Sequence, residues 1–454
     1  MSSARFSFAL AAGKLCSALC KAASPKRGSN MPGAVALKLD PDFLKHIKGV
    51  EPSRTVFITG TNGKSTANNM VVHAFQTAGL SVCSNLEGAN MKPGVATALI
   101  KNTTAGGRIK SDYLILEIDE RSLGQIAKAL KPGCLCVTNI QKDQVQRNGD
   151  PDYIYQKIKS VVEDADGLTL FVNNEEPRCK SLGKYVKDDG RTISFGVMQN
   201  ARGTVSENDW EVTMPCPLCH EALSFSWYNL AGVGAFKCPA CGFASGGPAD
   251  YAVTEVDYKE GTFTAEGQKY RLAYPAAFFL YNYSLCLTVG AEFGIAPDEL
   301  RKAFDTFENI GGRMESFEHA GKSIKYMRIK QENPETLQSA LDTIAVDKGE
   351  KVFVLGPAVV DDMIPHYSNT FYTFDCNFEP LIKSGVERYI CFGQTIARDT
   401  ANRLRYAGVP DESIEILDTD EDEKILASFS NCETENIYLI TWIKKYEKLK
   451  EKAG

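Results

Sequence analysis

Residues 56–66 read Val-Phe-Ile-Thr-Gly-Thr-Asn-Gly-Lys-Ser-Thr, an order of residue types that builds a phosphate cradle. Gly60 and Gly63 let backbone N–H groups approach an anion closely. Lys64 brings a point charge for terminal phosphates, and the Ser65 hydroxyl suits Mg²⁺. Thr61, Asn62 and Thr66 complete the loop and open a helix-compatible segment, Ala67 to Thr77. The common form of this loop carries a glycine five residues before the second one. Ile58 stands there instead, so this is the short form, Gly-Thr-Asn-Gly-Lys-Ser. An ordinary strand–turn–helix junction is the plain alternative; a lysine and two hydroxyls at a glycine turn weigh against it.

Two further groups have the residue types for chemistry. Glu117-Ile-Asp-Glu120 closes an apolar run. A carboxylate there would sit beside the loop, as an Mg²⁺ ligand or a water-holder. Acids at strand ends are also commonly just solvated. Cys216-Pro-Leu-Cys219 and Cys238-Pro-Ala-Cys241 are separated by 18 residues, a spacing that offers four thiolates to one tetrahedral zinc ion. Sulfur would fill every position, which makes the site closed and structural. A redox pair or loose thiols is the alternative, and His220 reads as a bystander. Lys237 is the lone cation near the pairs, so the ribbon is a poor nucleic-acid surface.

The elements that position these groups follow from apolar patterning. Thr55–Thr59, Leu114–Ile118, Cys134–Thr138, Thr169–Val172 and Thr192–Phe195 read as strands alternating with helical segments. That alternation implies an α/β fold, a parallel sheet with helices on both faces and ligands at the strands' carboxyl ends. From 203 to 270 strands shorten and turns multiply; helical periodicity returns over Ala276–Phe293. Phe307–Glu315 reads as a loop between domains. A second, smaller α/β domain follows, with strands at Lys351–Leu355, Arg388–Phe392 and Tyr438–Thr441. The expected division is an arm over 1–39, an ATP-binding domain over 40–310 with a zinc ribbon at about 205–250, and a terminal α/β domain over 311–454.

Length and composition agree with such a chain. At 454 residues, two or three domains are expected. A net charge of −6 gives no global nucleic-acid signature. No apolar run reaches membrane-spanning length. Ten of the fourteen cysteines lie outside the paired motifs, many of them read as lying in apolar strands (Cys134, Cys136, Cys286, Cys391), and this pattern points to a reducing, cytoplasmic compartment. The first 39 residues carry Arg5, Lys14, Lys21, Lys26, Arg27 and Lys38, with no acid before Asp40. They read as a transit peptide, as a basic helix on a membrane surface, or as a helix packed on the body with solvated lysines.

The short loop resembles that of the Mur ligase superfamily, which includes folylpolyglutamate synthases. The resemblance implies a Mur ligase-like ATPase domain that phosphorylates a carboxylate with ATP and lets an amine attack the acyl phosphate. It implies Mg²⁺ on Ser65 and on a glutamate of the acidic cluster, Glu117 first, with Glu120 as the other fit. Thr138-Asn-Ile-Gln-Lys-Asp143-Gln is similar to the superfamily's Thr-Asn-Ile-x-x-Asp-His, with Gln144 replacing the histidine. Asn173-Asn-Glu-Glu-Pro177 resembles Asn-x-Asp-Asp-Pro, a helix N-terminus with favourable acids being the other reading.

The cysteine insertion narrows the resemblance to the MurT family. Asn85-Leu-Glu-Gly-Ala-Asn90, Gly94-Val-Ala-Thr-Ala-Leu, Leu280-Tyr-Asn-Tyr, Gly312-Arg-Met-Glu315 and Pro32-Gly-x-x-Ala-Leu-Lys-Leu carry it further. It implies amidation of D-glutamate in the stem peptide of lipid II, at the inner face of the membrane, with ammonia from a GatD-like glutaminase subunit. It implies Asn282 and Arg313 along the nucleotide or inter-domain cleft; a helix N-cap is the alternative for Asn282. In the terminal domain the family's Ala-Asp-Gly core is missing from Asp361-Asp-Met-Ile-Pro-His-Tyr-Ser-Asn369, while Tyr372-Thr-Phe-Asp375-Cys-Asn-Phe-Glu379 keeps an aspartate. The resemblance implies that Asp375, or failing it Asp362, orients the histidine of the partner's Cys–His pair; a solvated loop acid is the alternative for each. The chain itself carries no glutaminase signature and five histidines in all. Two rivals stand beside this reading: a superfamily ligase that adds an amino acid, and a non-enzymatic zinc-ribbon binding module.

Overall fold

The computed structural model describes residues 2–23, 29–86, 89–143, 149–199, 204–205, 214–230, 232–274, 277–308, 314–330, 332–347, 349–357 and 370–454. The chain divides into two compact units, 1–141 with 150–308 and 142–149 with 309–454.

In the first unit the elements run α1 (Ser2–Ala23), α2 (Met31–Leu39), β1 (Thr55–Thr59), α3 (Lys64–Thr77), β2 (Val82–Cys83), α4 (Lys92–Asn102), β3 (Tyr113–Glu117), α5 (Leu123–Leu130), β4 (Cys134–Val137), α6 (Pro151–Asp164), β5 (Thr169–Asn173), α7 (Pro177–Leu182) and β6 (Arg191–Val197). There follow β7 (Thr204–Val205), β8 (Ser224–Leu230), β9 (Val233–Lys237), β10 (Tyr251–Asp257), β11 (Thr262–Ala265), β12 (Gln268–Arg271), α8 (Ala277–Glu292) and α9 (Pro297–Thr306). Nine strands form one sheet in the order β12-β11-β10-β6-β5-β4-β1-β3-β2. It is parallel from β2 to β10, and β11 and β12 add an antiparallel edge.

Strand β1 is buried along its whole length because both faces of the sheet are covered, as parallel sheets require. Val56 and Ile58 pack toward α3, α8 and α9. Phe57, between them, packs toward α1, α2, α4, α5 and α6. The expected strands are present within a residue or two at their ends. Helix α3 starts at Lys64, three residues before the patterned segment, because the loop glycines hand over directly to helix. The stretch after 203 contains more than a ribbon: β10 pairs with β6 and extends the main sheet.

The second unit contains β13 (Met314–His319), β14 (Lys322–Met327), α10 (Pro334–Val346), β15 (Lys351–Gly356), α11 (Phe371–Phe374), α12 (Glu379–Ile382), β16 (Val386–Phe392), α13 (Thr395–Tyr406), β17 (Ile414–Leu417), α14 (Asp422–Ser430), β18 (Asn436–Thr441) and α15 (Ile443–Ala453). Its six strands are ordered β13-β14-β18-β15-β16-β17. The β13–β14 hairpin is antiparallel and the remaining pairings are parallel. Two apolar clusters cover the two faces.

Candidate nucleotide site and cysteine cluster

The loop between β1 and α3 is shaped by its glycines. Gly60 has φ +121° and Gly63 has φ +81°, backbone that residues with a Cβ rarely adopt. A Cβ on Gly60 would lie 2.3 Å from Thr138 Oγ1, and one on Gly63 would lie 2.7 Å from Asn282 Oδ1. The second contact locates Asn282. It sits inside α8, with its side chain against the loop, and is not a helix cap. Among the described residues its buried amide nitrogen has no acceptor, which fits a ligand oxygen at this place.

The loop is braced by the Thr138–Gln141 segment after β4. Thr61 N donates to Asn139 O at 2.8 Å and Asn62 N donates to Asn139 Oδ1 at 2.8 Å. Thr138 Oγ1 and Asn139 Nδ2 donate to Asn62 O at 2.7 and 3.0 Å, and Gln141 N donates to Thr61 Oγ1 at 2.9 Å. This bracing role was not read from the sequence, although the motif itself was. Nearly 80 residues separate the partners, and pattern alone does not bring them together.

Lys64 is buried. Its Nζ donates to Glu120 Oε1 at 2.7 Å, to Thr61 O at 3.2 Å and to Gly60 O. Glu120 thus faces the loop lysine. Register places Glu117 beside Ile58, just before the glycine turn. Asn85 clasps its backbone, accepting from Glu117 N at 3.0 Å and donating to Glu117 O at 2.8 Å. Asn90 Nδ2 donates to Glu117 Oε1 at 2.8 Å. Both asparagines come from the Asn85–Asn90 segment singled out in the sequence, in which neither had been given a role. Glu117 is 3% exposed, and among the described residues no cation pairs with it. A buried carboxylate of this kind is costly unless something neutralises it, so the donor set suits a hard cation. Ser65 is exposed at the start of α3 and Thr66 is half-buried. Arg313, Asp362 and Gln144 lie outside the described residues.

The four cysteines converge. Their sulfurs all lie within 4.8 Å of one another, with Cys216 and Cys241 at 3.7 Å and Cys219 and Cys238 at 3.4 Å. A zinc–thiolate tetrahedron with bonds of about 2.3 Å has edges of about 3.8 Å, so the four fit one zinc ion. The two turns are built alike. His220 N donates to Cys216 O at 2.9 Å and Gly242 N to Cys238 O at 3.1 Å, with φ +65° at His220 and +75° at Gly242. Backbone N–H donation from Cys241 helps to bring the Cys238 thiol down to about 7, while the hydrogen bond that Cys238 shares with Cys219 pushes Cys219 up. His220 is not in the cluster.

The Asn173–Pro177 motif holds the ribbon in place. Glu176 caps α7, accepting from Cys179 N at 2.7 Å and Arg178 N at 3.3 Å. Glu175 is buried, and burial pushes its carboxyl up to about 7. It accepts from Val197 N at 2.9 Å and Asn174 Nδ2 at 3.0 Å. Glu175 O accepts from Gly234 N, and Lys180 Nζ donates to Ser245 O at 2.7 Å. The reading of these acids as helix-terminus residues therefore holds for Glu176.

In the second unit Asp375 ends α11 and is partly exposed. Its Oδ1 accepts from Lys142 Nζ at 2.8 Å. Arg403, which is 1% exposed, grips the backbone on both sides of it: Nε donates to Thr373 O at 3.3 Å and Nη2 to Cys376 O at 2.7 Å. Asp143, beside Lys142, is buried with Lys330 and with Asn333 Nδ2 at 3.1 Å.

Residues 58–226 match the Mur ligase middle domain, and residues 331–443 match the MurT ligase C-terminal domain. The lipid II isoglutaminyl synthase (glutamine-hydrolyzing) subunit MurT of Staphylococcus aureus strain COL is 29% identical over 85% of this chain and 84% of its own. The chain is similar to MurT subunits over most of its length. The MurT subunit from Streptococcus pneumoniae strain R6 is 27% identical over 91% of this chain and 90% of its own. A pseudomurein peptide ligase type C from Methanothermus fervidus superposes with a TM-score of 0.66 at 20% identity, covering 91% of this chain and 81% of that one; at that identity it speaks for the Mur ligase fold. These matches make the chain an ATP-dependent ligase of peptidoglycan synthesis, with the ligase fold in its first unit and the MurT ligase C-terminal domain in its second.

Proposed function

We propose that this chain amidates the α-carboxyl of D-glutamate in the lipid II stem peptide, using ATP and ammonia delivered by a GatD-like glutaminase subunit. The observation that carries the reading is the glycine cradle with Lys64 set against Glu120 at the carboxyl edge of the sheet, in a chain matched over most of its length by MurT subunits. The work divides as residues 40–310 for ATP chemistry, with the ribbon as a structural insert, and 311–454 for dealing with the partner. The enzyme works in the cytoplasm, at the inner face of the membrane where a lipid-borne acceptor is reached, with α1 toward the lipid.

The acceptor carboxylate attacks the γ-phosphorus, the bond to the bridging oxygen breaks, and ADP leaves. Ammonia then attacks the acyl carbon, phosphate departs and a proton is lost, which leaves the amide. Backbone N–H groups of Gly60 to Thr66 hold the phosphates. Lys64, released from Glu120, offsets the charge that gathers on them. Ser65 and Glu117 would hold Mg²⁺, which supplies charge neutralisation between phosphates. Asn282 would donate to the nucleotide, and Arg313, outside the described residues, is the other nucleotide-binding candidate. Cys216, Cys219, Cys238 and Cys241 would hold a structural Zn²⁺. Asp375 orients the partner's histidine, and Asp362 is its substitute for that role. Lys142 and Arg403 support Asp375 by holding its carboxylate and its backbone.

Amidation driven by ammonium and by glutamine separates these roles. Lys64→Ala should lower both by about 10²-fold or more. Asp375→Asn should leave the ammonium reaction intact and lower the glutamine reaction, measured with the partner present, by a factor of up to about 10⁴. Equal loss of both reactions in Asp375→Asn would remove Asp375 from the partner's chemistry.

A further inference from the structure

Helix α1 is apolar on two opposite faces. Phe6, Ala9, Leu10, Gly13 and Ser17 point inward and are buried. Gly13 and Gly33 allow the close packing of the layer: a Cβ on Gly13 would lie 2.7 Å from Ile100 Cδ1, and one on Gly33 would lie 1.9 Å from Pro93 O. The outward face carries Phe8, Leu15 and Leu19, which are 65%, 62% and 62% exposed. Their spacing keeps all three on one stripe. Met31 at the start of α2, next to Cys20 of α1, is exposed as well, at 59%. A helix that is apolar all round is normally covered all round, and nothing among the described residues covers this side.

Charge says what the cover is. The three helices of this layer, α1, α2 and α4, carry Arg5, Lys14, Lys21, Lys38, Lys92 and Lys101 and no aspartate or glutamate, in a chain whose net charge is −6. Lys14 is turned inward, donating to Ile100 O at 2.9 Å and Thr103 O at 2.6 Å. Arg5, Lys21, Lys38 and Lys101 are exposed. Exposed apolar side chains on a helix layer whose charges are all cations are the composition that lies in an anionic bilayer interface, apolar side chains among the acyl chains and cations among the headgroups. Among the described residues no helix is long and apolar enough to cross a membrane, so the contact is one of lying on the surface.

We propose that the outer face of α1, with Met31 and the cations of its helix layer, docks this chain onto an anionic lipid surface. The proposal rests on the reading above for the acceptor's lipid tail, and on the helix layer for the contact itself. The test is sedimentation of the full chain with vesicles of phosphatidylglycerol and phosphatidylcholine, and with phosphatidylcholine alone, at low and high salt. The parent should pellet with the anionic vesicles, less so at high salt. Phe8→Ser/Leu15→Ser/Leu19→Ser, which alters side chains already in water, should cut the bound fraction at least tenfold. Lys21→Glu/Lys38→Glu should cut it at low salt only. Equal sedimentation of parent and triple variant would overturn the proposal. So would a lipid-free dimer, seen by light scattering, that the triple substitution dissolves, because the stripe would then be covered by a second copy. Amidation of a tail-less, water-soluble acceptor is measured on the same proteins. Vesicle binding without that activity sinks the substrate reading and leaves the surface standing; activity without binding does the reverse.

Discussion

At the scale of single residues, the site depends on two glycines and on the partners that crowd them. Gly63 has φ +81° and no room for a Cβ against Asn282. Gly63→Ala should therefore weaken ATP binding at least tenfold with the fold retained, a change that calorimetric titration of the nucleotide measures. An unchanged affinity would mean that the loop does not hold the phosphates. The residue types of this loop were legible from sequence because phosphate chemistry allows few substitutes for glycine, lysine and a hydroxyl. The bracing by Thr138, Asn139 and Gln141, and the clasp of Asn85 and Asn90 on Glu117, were not. These contacts join segments some 27 to 80 residues apart, and local pattern carries no information about which loops meet. Arg403 was missed for another reason: an arginine on an amphipathic helix reads as solvated, and here it is buried under Phe378 with its cation 4.9 Å from the ring centre.

At the scale of elements, the ribbon and the turn that holds it give two expectations. A metal held by four sulfurs within 4.8 Å of one another would make the ribbon's fold depend on it. Cys219→Ser should remove one equivalent of zinc and lower the melting temperature by several degrees, as read by metal analysis and calorimetry on the full chain; a zinc-free parent of equal stability would contradict this. Glu175 titrates at about 7 when folded, against an ordinary value of 4.5. The folded state then binds more protons than the unfolded chain between those values. The stability this carboxyl contributes is full below about pH 4.5 and is lost as pH rises through 7, by up to about 3 kcal/mol. Glu175→Gln should flatten that part of the stability–pH curve, followed by urea unfolding at a series of pH values. The strands of both sheets were legible because buried parallel strands are continuous apolar runs bounded by turn residues. The addition of β10, β11 and β12 to the main sheet was not, because short alternating strands near a cysteine ribbon carry no mark of which sheet they join.

At the scale of the whole molecule, the chain combines a ligase ATPase with a terminal unit that offers Asp375 at its surface. The class of enzyme was legible because the loop, the acidic strand end and the cysteine pairs fall in one order along one chain. The acceptor was not, because nothing in residue spacing distinguishes one carboxylate from another. The central claim is therefore the chemistry itself: an acceptor carboxyl becomes an amide at the expense of ATP, and ammonia alone suffices when the partner is absent. The measurement that tests it most directly is mass spectrometry of lipid II incubated with this chain, ATP, Mg²⁺ and excess ammonium, without a glutaminase. The account predicts conversion of one carboxyl to an amide, a loss of about 1 Da, with one ADP formed per amide. ADP formation with lipid II left unchanged, or no turnover of either kind, would contradict it.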